Sequence, residues 1–437
     1  MQIFNFSNNN KKIILALGAE SAGNFSIYKN NKIYFSKDFG DLLDDNNWLN
    51  FKKSILNFLK KEKIKPNIII TDLHPLMKTT LWGEELAKKF KAEFIQVQHH
   101  HAHIFSAIGE SLLPLPLSKG EMSEGQRGFK NIPATFYCLA LDGTGYGTDE
   151  LIWGGECFAI SNFQFPISKQ IQNSKTQLTN KPIEIQRIGQ LENQILLGGE
   201  IAIQEPARII IAIIKKILNQ KFEIRNKLKF KNSKSQKEFI YNFVKKYYSK
   251  NKFELLYNQL EQNFNCIETS STGRILDAVS LLLGFCGNER KYKHEAIDLL
   301  EANSTKPYTN LKPKIIEIKN TSPINYSLQT THLFKYLIKN LHKDKKRLAA
   351  TAQLYIAEGL CEIVKKSSVN SHQSSTNIQI FAGGGVTNNK IISDYFASKN
   401  VYLYKNTSPV IAEQFYGIPR GDAGLSFGQI IYFLLSN

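Results

Sequence analysis

Two stretches of the chain share the same order of apolar and polar positions. Each begins with an apolar run, "IILAL" from Ile13 and "FYCLAL" from Phe136, passes through a turn of small residues, and returns as a second apolar run. This order predicts a strand, a turn and a strand in both places. Because segments with helical spacing follow each opening, the pattern indicates a duplicated α/β unit that forms two lobes.

The rest of the chain indicates where the first lobe ends and the second begins. "LPLPLSKGEMSEGQRGFKN" lacks periodicity and predicts a loop insertion near 113–132, as do the polar stretches 168–181 and 366–377. Residues 201–283 carry apolar residues at three- and four-residue spacing, which predicts a mainly helical insert. We therefore expect a first α/β lobe over 1–132 and a second over 133–437.

Composition narrows the class of protein. The chain is 42% hydrophobic and carries a net charge of +18; the first value indicates a globular protein. Its lysine runs are dispersed and accompany no nucleic-acid-binding motif, so a nucleic-acid partner is not favoured, and a basic cleft for a nucleotide or an acidic partner fits the charge as well. No apolar run approaches the ~18–20 residues of a membrane helix. We expect a cytoplasmic protein without a membrane partner.

Four of the nine histidines lie in "VQHHHAH". If a helix begins after Gln98, His99 and His103 share one face and can bind one metal ion, while His100 and His101 would line the cleft or contact substrate. Asp142 lies at the C-terminal end of a buried strand in "ALDGTGYG", and Asp422 lies in the small-residue turn "PRGDAGLSFGQ" that opens a helix; both could complete such a site. Each residue also has a purely structural interpretation, as a hydrogen-bonded core histidine or a self-capping turn aspartate.

Three further features suggest a nucleotide. The glycine turns around Gly143 and in "FAGGGVTNN" permit close approach of a ligand, although a tight strand-to-helix turn explains the latter equally well. Asn389 in the first turn of the following helix could bind a base or ribose. Asp277 lies within the apolar helical segment "GRILDAVSLLLG", where a carboxylate costs free energy unless it is paired or bound.

Taken in order, these stretches resemble one family, the C-terminal transferase portion of the hydrogenase-maturation carbamoyltransferase HypF. The motifs that carry the resemblance are "LALGAESAGNF", "DLHPLMKTT", "VQHHHAH", "LDGTGYGTDELIWGGE", "GGEIAIQEPAR", "SSTGRILDAV", "GGVTNN" and "DAGLSFGQ". The resemblance implies an actin-like, sugar-kinase-like α/β fold with two RNase H-like lobes. It also implies an iron or zinc ion and an adenylate, with the metal on His99, His103, Asp142 and Asp422, and the nucleotide on Gly143, Gly145, Asp277, Gly384, Gly385 and Asn389.

The activity that this resemblance implies is transfer of a carbamoyl group from carbamoyl-adenylate to the thiolate of a HypE-like partner. Whole members of the family carry acylphosphatase, zinc-knuckle and YrdC-like domains before this portion, so separate YrdC-like and acylphosphatase proteins are expected to make the donor. Three other functions stay open: an O-carbamoyltransferase for a small molecule, a tRNA threonylcarbamoyl transferase, and a non-catalytic paralogue. The last rests on the altered first turn at Ala22 and Gly23 and on "YKHEA".

Overall fold

A computed structural model describes residues 1–113, 135–163, 182–219, 233–319, 321, 325–370, 378–403 and 417–436. The insertion predicted near 113–132 lies outside these residues except for Leu113, and the loop predicted at 168–181 lies wholly outside them. The loop predicted at 366–377 is wrong for its first five residues, because they continue a helix that ends at Asn370.

The first sheet has six strands in the order β1-β4-β3-β2-β5-β6. The pairs from β1 through β4 and β3 to β2 are antiparallel, whereas β2 pairs with β5, and β5 with β6, in parallel. Apolar residues fill β5 on both faces, as is usual for a parallel strand covered on two sides. The strands are β1 Gln2–Asn5, β2 Ile14–Ala16, β3 Ser26–Lys29, β4 Lys32–Phe35, β5 Ile68–Asp72 and β6 Glu93–Val97.

The second sheet repeats this arrangement. Its central strands follow the order β9-β8-β7-β14-β15, in which the first three are antiparallel and the last three parallel. The repeat confirms the predicted duplication of RNase H-like units. The strands are β7 Phe136–Tyr146, β8 Ile152–Ser161, β9 Glu184–Leu191, β10 Gln194–Leu197, β11 Cys266–Thr269, β12 Ile315–Ile318, β13 Asn325–Leu328, β14 Ile380–Gly383 and β15 Tyr402–Leu403.

Helices cover both sheets and fill the space between them. Within the described ranges, none combines the length and apolar character needed to cross a membrane. The helices are α1 Asp45–Lys61, α2 Lys78–Phe90, α3 His99–Leu112, α4 Ile201–Gln204, α5 Ala207–Asn219, α6 Ser233–Val244, α7 Lys250–Glu261, α8 Thr272–Leu283, α9 Glu295–Ala302, α10 Thr330–Lys339, α11 Lys345–Asn370, α12 Lys390–Ser398 and α13 Leu425–Ser436.

Strand alternation assigns the apolar residues to separate cores. In β2 and just beyond it, Leu15 and Leu17 join α1 and α2 on one face of the first sheet. Ile14 and Ala16 point to the opposite face, where they join the core shared with the second sheet. The largest core lies on the far side of the second sheet, beneath the helical insert. The molecule is therefore layered as helices, sheet, helices, sheet and helices.

The middle layer consists of α3 and α13, and it fixes the helix that carries "HHHAH". The two helices cross so closely that a Cβ atom on Gly428 would lie 1.9 Å from the Ala102 carbonyl oxygen. On the other side of the crossing, a Cβ atom on Gly109 would lie 2.5 Å from Ile431. Although α13 is far from the first sheet in sequence, it also packs on β2 and β3 of that sheet. The last helix therefore holds α3 in place between the two sheets.

Candidate metal centre

The histidine pair lies on the first turn of α3. Gln98 caps this helix, and its side chain accepts a hydrogen bond from the His101 backbone N–H at 2.9 Å. The helix therefore begins where the sequence predicts it. His99 and His103 are one turn apart and buried, and their Nε2 atoms lie 3.1 Å from each other. Both imidazoles point toward the same spot.

Two carboxylates from distant turns reach that spot. Asp142 lies in a bulge of β7, where the register with β8 shifts between Leu141 and Gly145, and Asp422 opens a short 3-10 helix just before α13. The His99 Nε2 atom lies 3.1 Å from an Asp142 oxygen and 3.4 Å from an Asp422 oxygen. The structure thus brings together all four residues that the sequence nominates as metal ligands.

The donor set fits a divalent ion. One ligand atom from each of the four residues lies within 4.8 Å of the other three. Tetrahedral ligands at bond lengths of about 2.1 Å are themselves about 3.4 Å apart, which is close to the distances between the histidine nitrogens and carboxylate oxygens. Two imidazoles with two carboxylates suit zinc or ferrous iron.

The exposure of the four side chains shows from which side a substrate reaches the centre. The side chains of His99 and His103 are 2% and 0% exposed, whereas those of Asp142 and Asp422 are 11% and 20% exposed. Access is therefore from the carboxylate side. The Ser21 hydroxyl, from the small-residue turn after β2, donates a hydrogen bond to Asp422 on that side.

The histidines and carboxylates of the cluster shift one another's pKa values. Burial opposes protonation of His99, but the carboxylates of Asp72, Asp142 and Asp422 outweigh it and raise its pKa well above the usual value. The pKa of His103 is also raised, because Asp142 and Asp422 outweigh the same burial effect. Burial would raise the pKa of Asp142, yet hydrogen bonds from the two histidines hold it well below its usual range. Any proton that these histidines share with the carboxylates would have to leave when an ion binds.

Asp72 is a candidate positioning residue to which no pattern in the sequence pointed. It is fully buried at the end of β5, and its carboxylate lies 2.6 Å from the His99 Nδ1 atom. A carboxylate on the far ring nitrogen fixes the tautomer that presents Nε2 to a metal. The pairing of strands brings the two residues together, since β5 and β6 are adjacent parallel strands and Asp72 pairs with Val97, two residues before His99.

The Asp72 carboxylate yields a direct prediction. Asp72→Asn is expected to lower the affinity for zinc by about 10- to 100-fold, because the amide no longer orients His99 as a charged acceptor does. Competition with a chromophoric chelator measures this affinity. Asp45→Asn is the matched control, since the Asp45 side chain is 93% exposed on α1. Equal zinc affinity in Asp72→Asn and the wild type would contradict the assignment.

The other two histidines do not line the cleft as predicted. His100 is fully buried, with its Nδ1 atom 3.0 Å from the Gln98 amide nitrogen. His101 packs between Phe158 and Tyr432, with ring centroids 5.3 and 6.1 Å away, and burial lowers its pKa to about 4. Successive helical residues are separated by about 100°, so His101 faces away from the site that His99 faces.

The predicted glycine turns lie around the four candidate metal ligands. A Cβ atom on Gly385 would be 3.5 Å from an Asp142 carboxylate oxygen, and one on Gly143 would be 3.2 Å from Arg274. Gly384 has a φ of +96° and packs on the Leu141 carbonyl group, whereas Gly145 packs on His99 and His100. Gly143 and Gly385 therefore face the centre, and Gly145 and Gly384 are constrained by contacts with neighbouring protein atoms.

Asp277 and Asn389 already have protein partners. Asn389 caps α12, and its side-chain nitrogen donates to Gln353 at 2.6 Å and to Glu301 at 3.2 Å. Asp277 is fully buried and forms ion pairs with Arg274, at 3.0 Å, and with Arg290. Their predicted contacts with a nucleotide stay predictions. Neither arginine was assigned a role from the sequence, although Arg274 lies three residues before Asp277 on the same helix.

The repeated RNase H-like sheets and the His₂Asp₂ centre define a two-lobed α/β protein of the actin-like, sugar-kinase-like class. Residues 9–110 match the family model described as HypF Kae1-like domain. Residues 138–429 match the model described as carbamoyltransferase, Kae1-like domain, second subdomain. The chain belongs to the HypF carbamoyltransferase family and matches its Kae1-like portion, which confirms the resemblance seen in the motifs.

Curated relatives support this assignment. The chain is 33% identical over 435 residues to a probable carbamoyltransferase HypF of Methanocaldococcus jannaschii, covering 98% of this chain and 47% of that protein. It is 25% identical to the carbamoyltransferase HypF of Synechocystis sp., covering 96% and 47%. The chain thus spans about half the length of these relatives. With a HypF homolog of Cupriavidus necator it is 26% identical, covering 95% of this chain and 90% of that protein.

Solved structures agree on the fold. Full-length HypF in a phosphate- and nucleotide-bound form superposes with a TM-score of 0.74 at 20% identity, covering 99% of this chain and 47% of that one. HypF of T. kodakarensis superposes with a TM-score of 0.71 at 25% identity, covering 99% and 49%. The two-lobed architecture is therefore that of the corresponding portion of HypF.

Proposed function

We propose that this chain transfers a carbamoyl group from carbamoyl-adenylate to a thiolate of a HypE-like acceptor protein. The observation that carries the proposal is the convergence of His99, His103, Asp142 and Asp422 beside the glycine turns at Gly143 and Gly385. Membership of the HypF carbamoyltransferase family supports the same reaction class. The phosphate- and nucleotide-bound form of a full-length HypF supports a nucleotide as ligand.

The metal in this proposal is iron or zinc on those four side chains. When bound, a divalent ion supplies a Lewis acid for the carbamoyl oxygen or the adenylate phosphate. Asp72 holds the His99 ring in the ligating tautomer. Asp142 and Asp422 form the exposed side of the centre, and Gly143 and Gly385 leave room there for the adenylate. The predicted nucleotide contacts of Gly145, Gly384 and Asn389 belong to this proposal. Asp277, which is fully buried, would act on the nucleotide only through its ion pair with Arg274.

The reaction balances without further reagents. The acceptor thiolate sulfur forms a bond to the carbamoyl carbon, and the bond between that carbon and the phosphate oxygen breaks. The electron pair leaves with AMP, and the product is a thiocarbamate on the partner. Separate YrdC-like and acylphosphatase proteins would make the donor, and the whole system would operate in the cytoplasm.

The test supplies the donor ready-made. The protein is loaded with zinc or ferrous iron and mixed with carbamoyl-adenylate and a HypE-like protein that ends in cysteine. The assay measures AMP and a mass increase of the acceptor of ~43 Da, which corresponds to a carbamoyl group that replaces a hydrogen atom. Acceptor-dependent AMP release is the expected result. A small-molecule alcohol and a tRNA are offered in parallel, and carbamoylation of either one instead would assign the chain to a different acceptor. No AMP release with any acceptor would overturn the proposal in favour of a binding protein.

A further inference from the structure

Two buried arginines share one carboxylate beside the metal centre. The side chains of Arg274 and Arg290 are 7% and 5% exposed, and that of Asp277, between them, is 0% exposed. In the described part of the chain, Asp277 is the only carboxylate within ion-pair distance of either guanidinium group. A buried cation without a matching anion is costly, so one positive charge of this cluster remains to be neutralised.

Arg274 is the arginine that approaches the centre. Its Nη1 atom pairs with Asp277, and its buried Nε atom has no acceptor among the described residues. A Cβ atom on Gly143 would lie 3.2 Å from its Nη2 atom, and Gly143 directly follows the ligand Asp142. The residue as a whole is 6% exposed. The guanidinium group is thus held beside the backbone of a metal ligand.

The same backbone packs against the N-terminus of α8. A Cβ atom on Gly273 would lie 2.8 Å from the Gly143 Cα atom. Ser271 caps the helix, accepts a hydrogen bond from the Arg274 N–H at 3.1 Å, and donates one to the Gly143 carbonyl oxygen. The first amides of a helix have no acceptor inside the helix and favour an anion. The guanidinium and the start of α8 therefore adjoin the exposed side of the centre together.

We propose that Arg274 is the residue that binds the phosphate of the adenylate, and that Asp277 and Arg290 are positioning residues that orient its guanidinium. This inference rests on the proposed function, because it names the residue that recognises the leaving group of that reaction. A guanidinium presents parallel donors that match phosphate oxygens. As the bond between carbon and oxygen breaks, the phosphate of AMP gains negative charge, so Arg274 stabilises the leaving group as well as the bound donor.

The experiment compares AMP with adenosine, which differ only in the phosphate group. Isothermal titration is run on the metal-loaded full chain as wild type, Arg274→Gln, Arg274→Lys and Arg208→Gln. Arg208, on α5 in the helical insert, is the matched control. Its side chain is 6% exposed and pairs with Glu205 at 2.6 Å. We expect Arg274→Gln to weaken AMP binding about tenfold or more, to change the affinity for adenosine by no more than about twofold, and to retain the metal. The AMP affinity of Arg274→Lys should lie between those of the wild type and Arg274→Gln, because lysine keeps the charge but lacks the parallel donors of a guanidinium group.

Each outcome decides the assignment. The assignment of Arg274 is overturned if Arg274→Gln loses affinity for AMP and adenosine equally, or if AMP affinity is unchanged in both variants. The proposed transfer reaction stands in either case. Wild-type protein that binds neither ligand overturns the adenylate site itself, and this proposal with it. If Arg274→Gln does not fold by circular dichroism, Arg274→Lys decides, and wild-type AMP affinity in that variant overturns the proposal. The positioning role predicts that Asp277→Asn weakens the binding of AMP but not of adenosine, and that Asp277→Glu retains part of the AMP affinity that Asp277→Asn loses.

Discussion

Replacing both α3 ligands, His99→Ala with His103→Ala, is expected to abolish metal binding and to reduce acceptor-dependent AMP release by about 100-fold or more. The remaining carboxylates, Asp142 and Asp422, come from separate turns and cannot hold an ion alone at the affinity of a four-ligand site. Without the ion and the two imidazoles, the negative charges of the two carboxylates would also repel each other. Elemental analysis after dialysis measures the metal, with about one ion per chain expected in the wild type.

The control for this prediction removes two histidines elsewhere. His332→Ala with His342→Ala alters α10 and the segment after it, far along the chain from the centre, and should leave both metal content and AMP release unchanged. Circular dichroism on all three proteins separates loss of the site from loss of the fold. A full complement of metal in the His99→Ala/His103→Ala protein would show that these imidazoles are not the ligands.

The features that the sequence predicts well are those that depend on neighbouring residues. The start of α3 after Gln98 follows from helical spacing and a capping side chain, and the two strand–turn–strand openings follow from apolar alternation and small-residue turns. The orientation of each side chain around α3 is also a local property, and the same 100° rotation that pairs His99 with His103 would have turned His101 away from them. The notion that His101 lines the cleft fails on that simple geometry.

Features that depend on tertiary contacts are harder to predict from one sequence. Asp72 reaches His99 because β5 and β6 are neighbours in the sheet, a fact that sequence patterns leave undetermined. Arg290 reaches Asp277 from a loop that follows α8, and no periodicity connects the two residues. The partners of Asn389 are also tertiary, since its amide donates to Gln353 and Glu301 on other helices, and its predicted nucleotide contact stays a prediction.

The fold explains why the centre needs both lobes. The histidines lie on α3, which follows the first sheet, whereas Asp142 belongs to a bulge in the second sheet. Asp422 lies just before α13, which returns to pack on α3 and on the first sheet. A bulge places an extra side chain off the regular pleat, and this is what directs Asp142 toward the histidines. Three segments that are distant in sequence thus converge at one point.

Asp277→Asn is expected to lower the free energy of unfolding by about 3–5 kcal/mol, the usual effect of removing one partner of a buried ion pair. Asparagine has nearly the same shape, so the loss reflects charge and not a cavity. Two guanidinium groups, at Arg274 and Arg290, would then lie in a buried site with no carboxylate within ion-pair distance in the described residues. Urea unfolding followed by far-UV circular dichroism measures the change.

Two further variants separate this charge effect from a general weakness of α8. Asp298→Asn on the exposed side of α9 is the control and should change stability by less than about 0.5 kcal/mol. Adding Arg290→Gln to Asp277→Asn should recover part of the loss, because it removes one of the two repelling cations, and the double-mutant cycle gives their coupling. A loss below about 1 kcal/mol in Asp277→Asn would mean that water or an ion already neutralises the arginines, and Asp277 would then not be what holds Arg274 beside the metal centre.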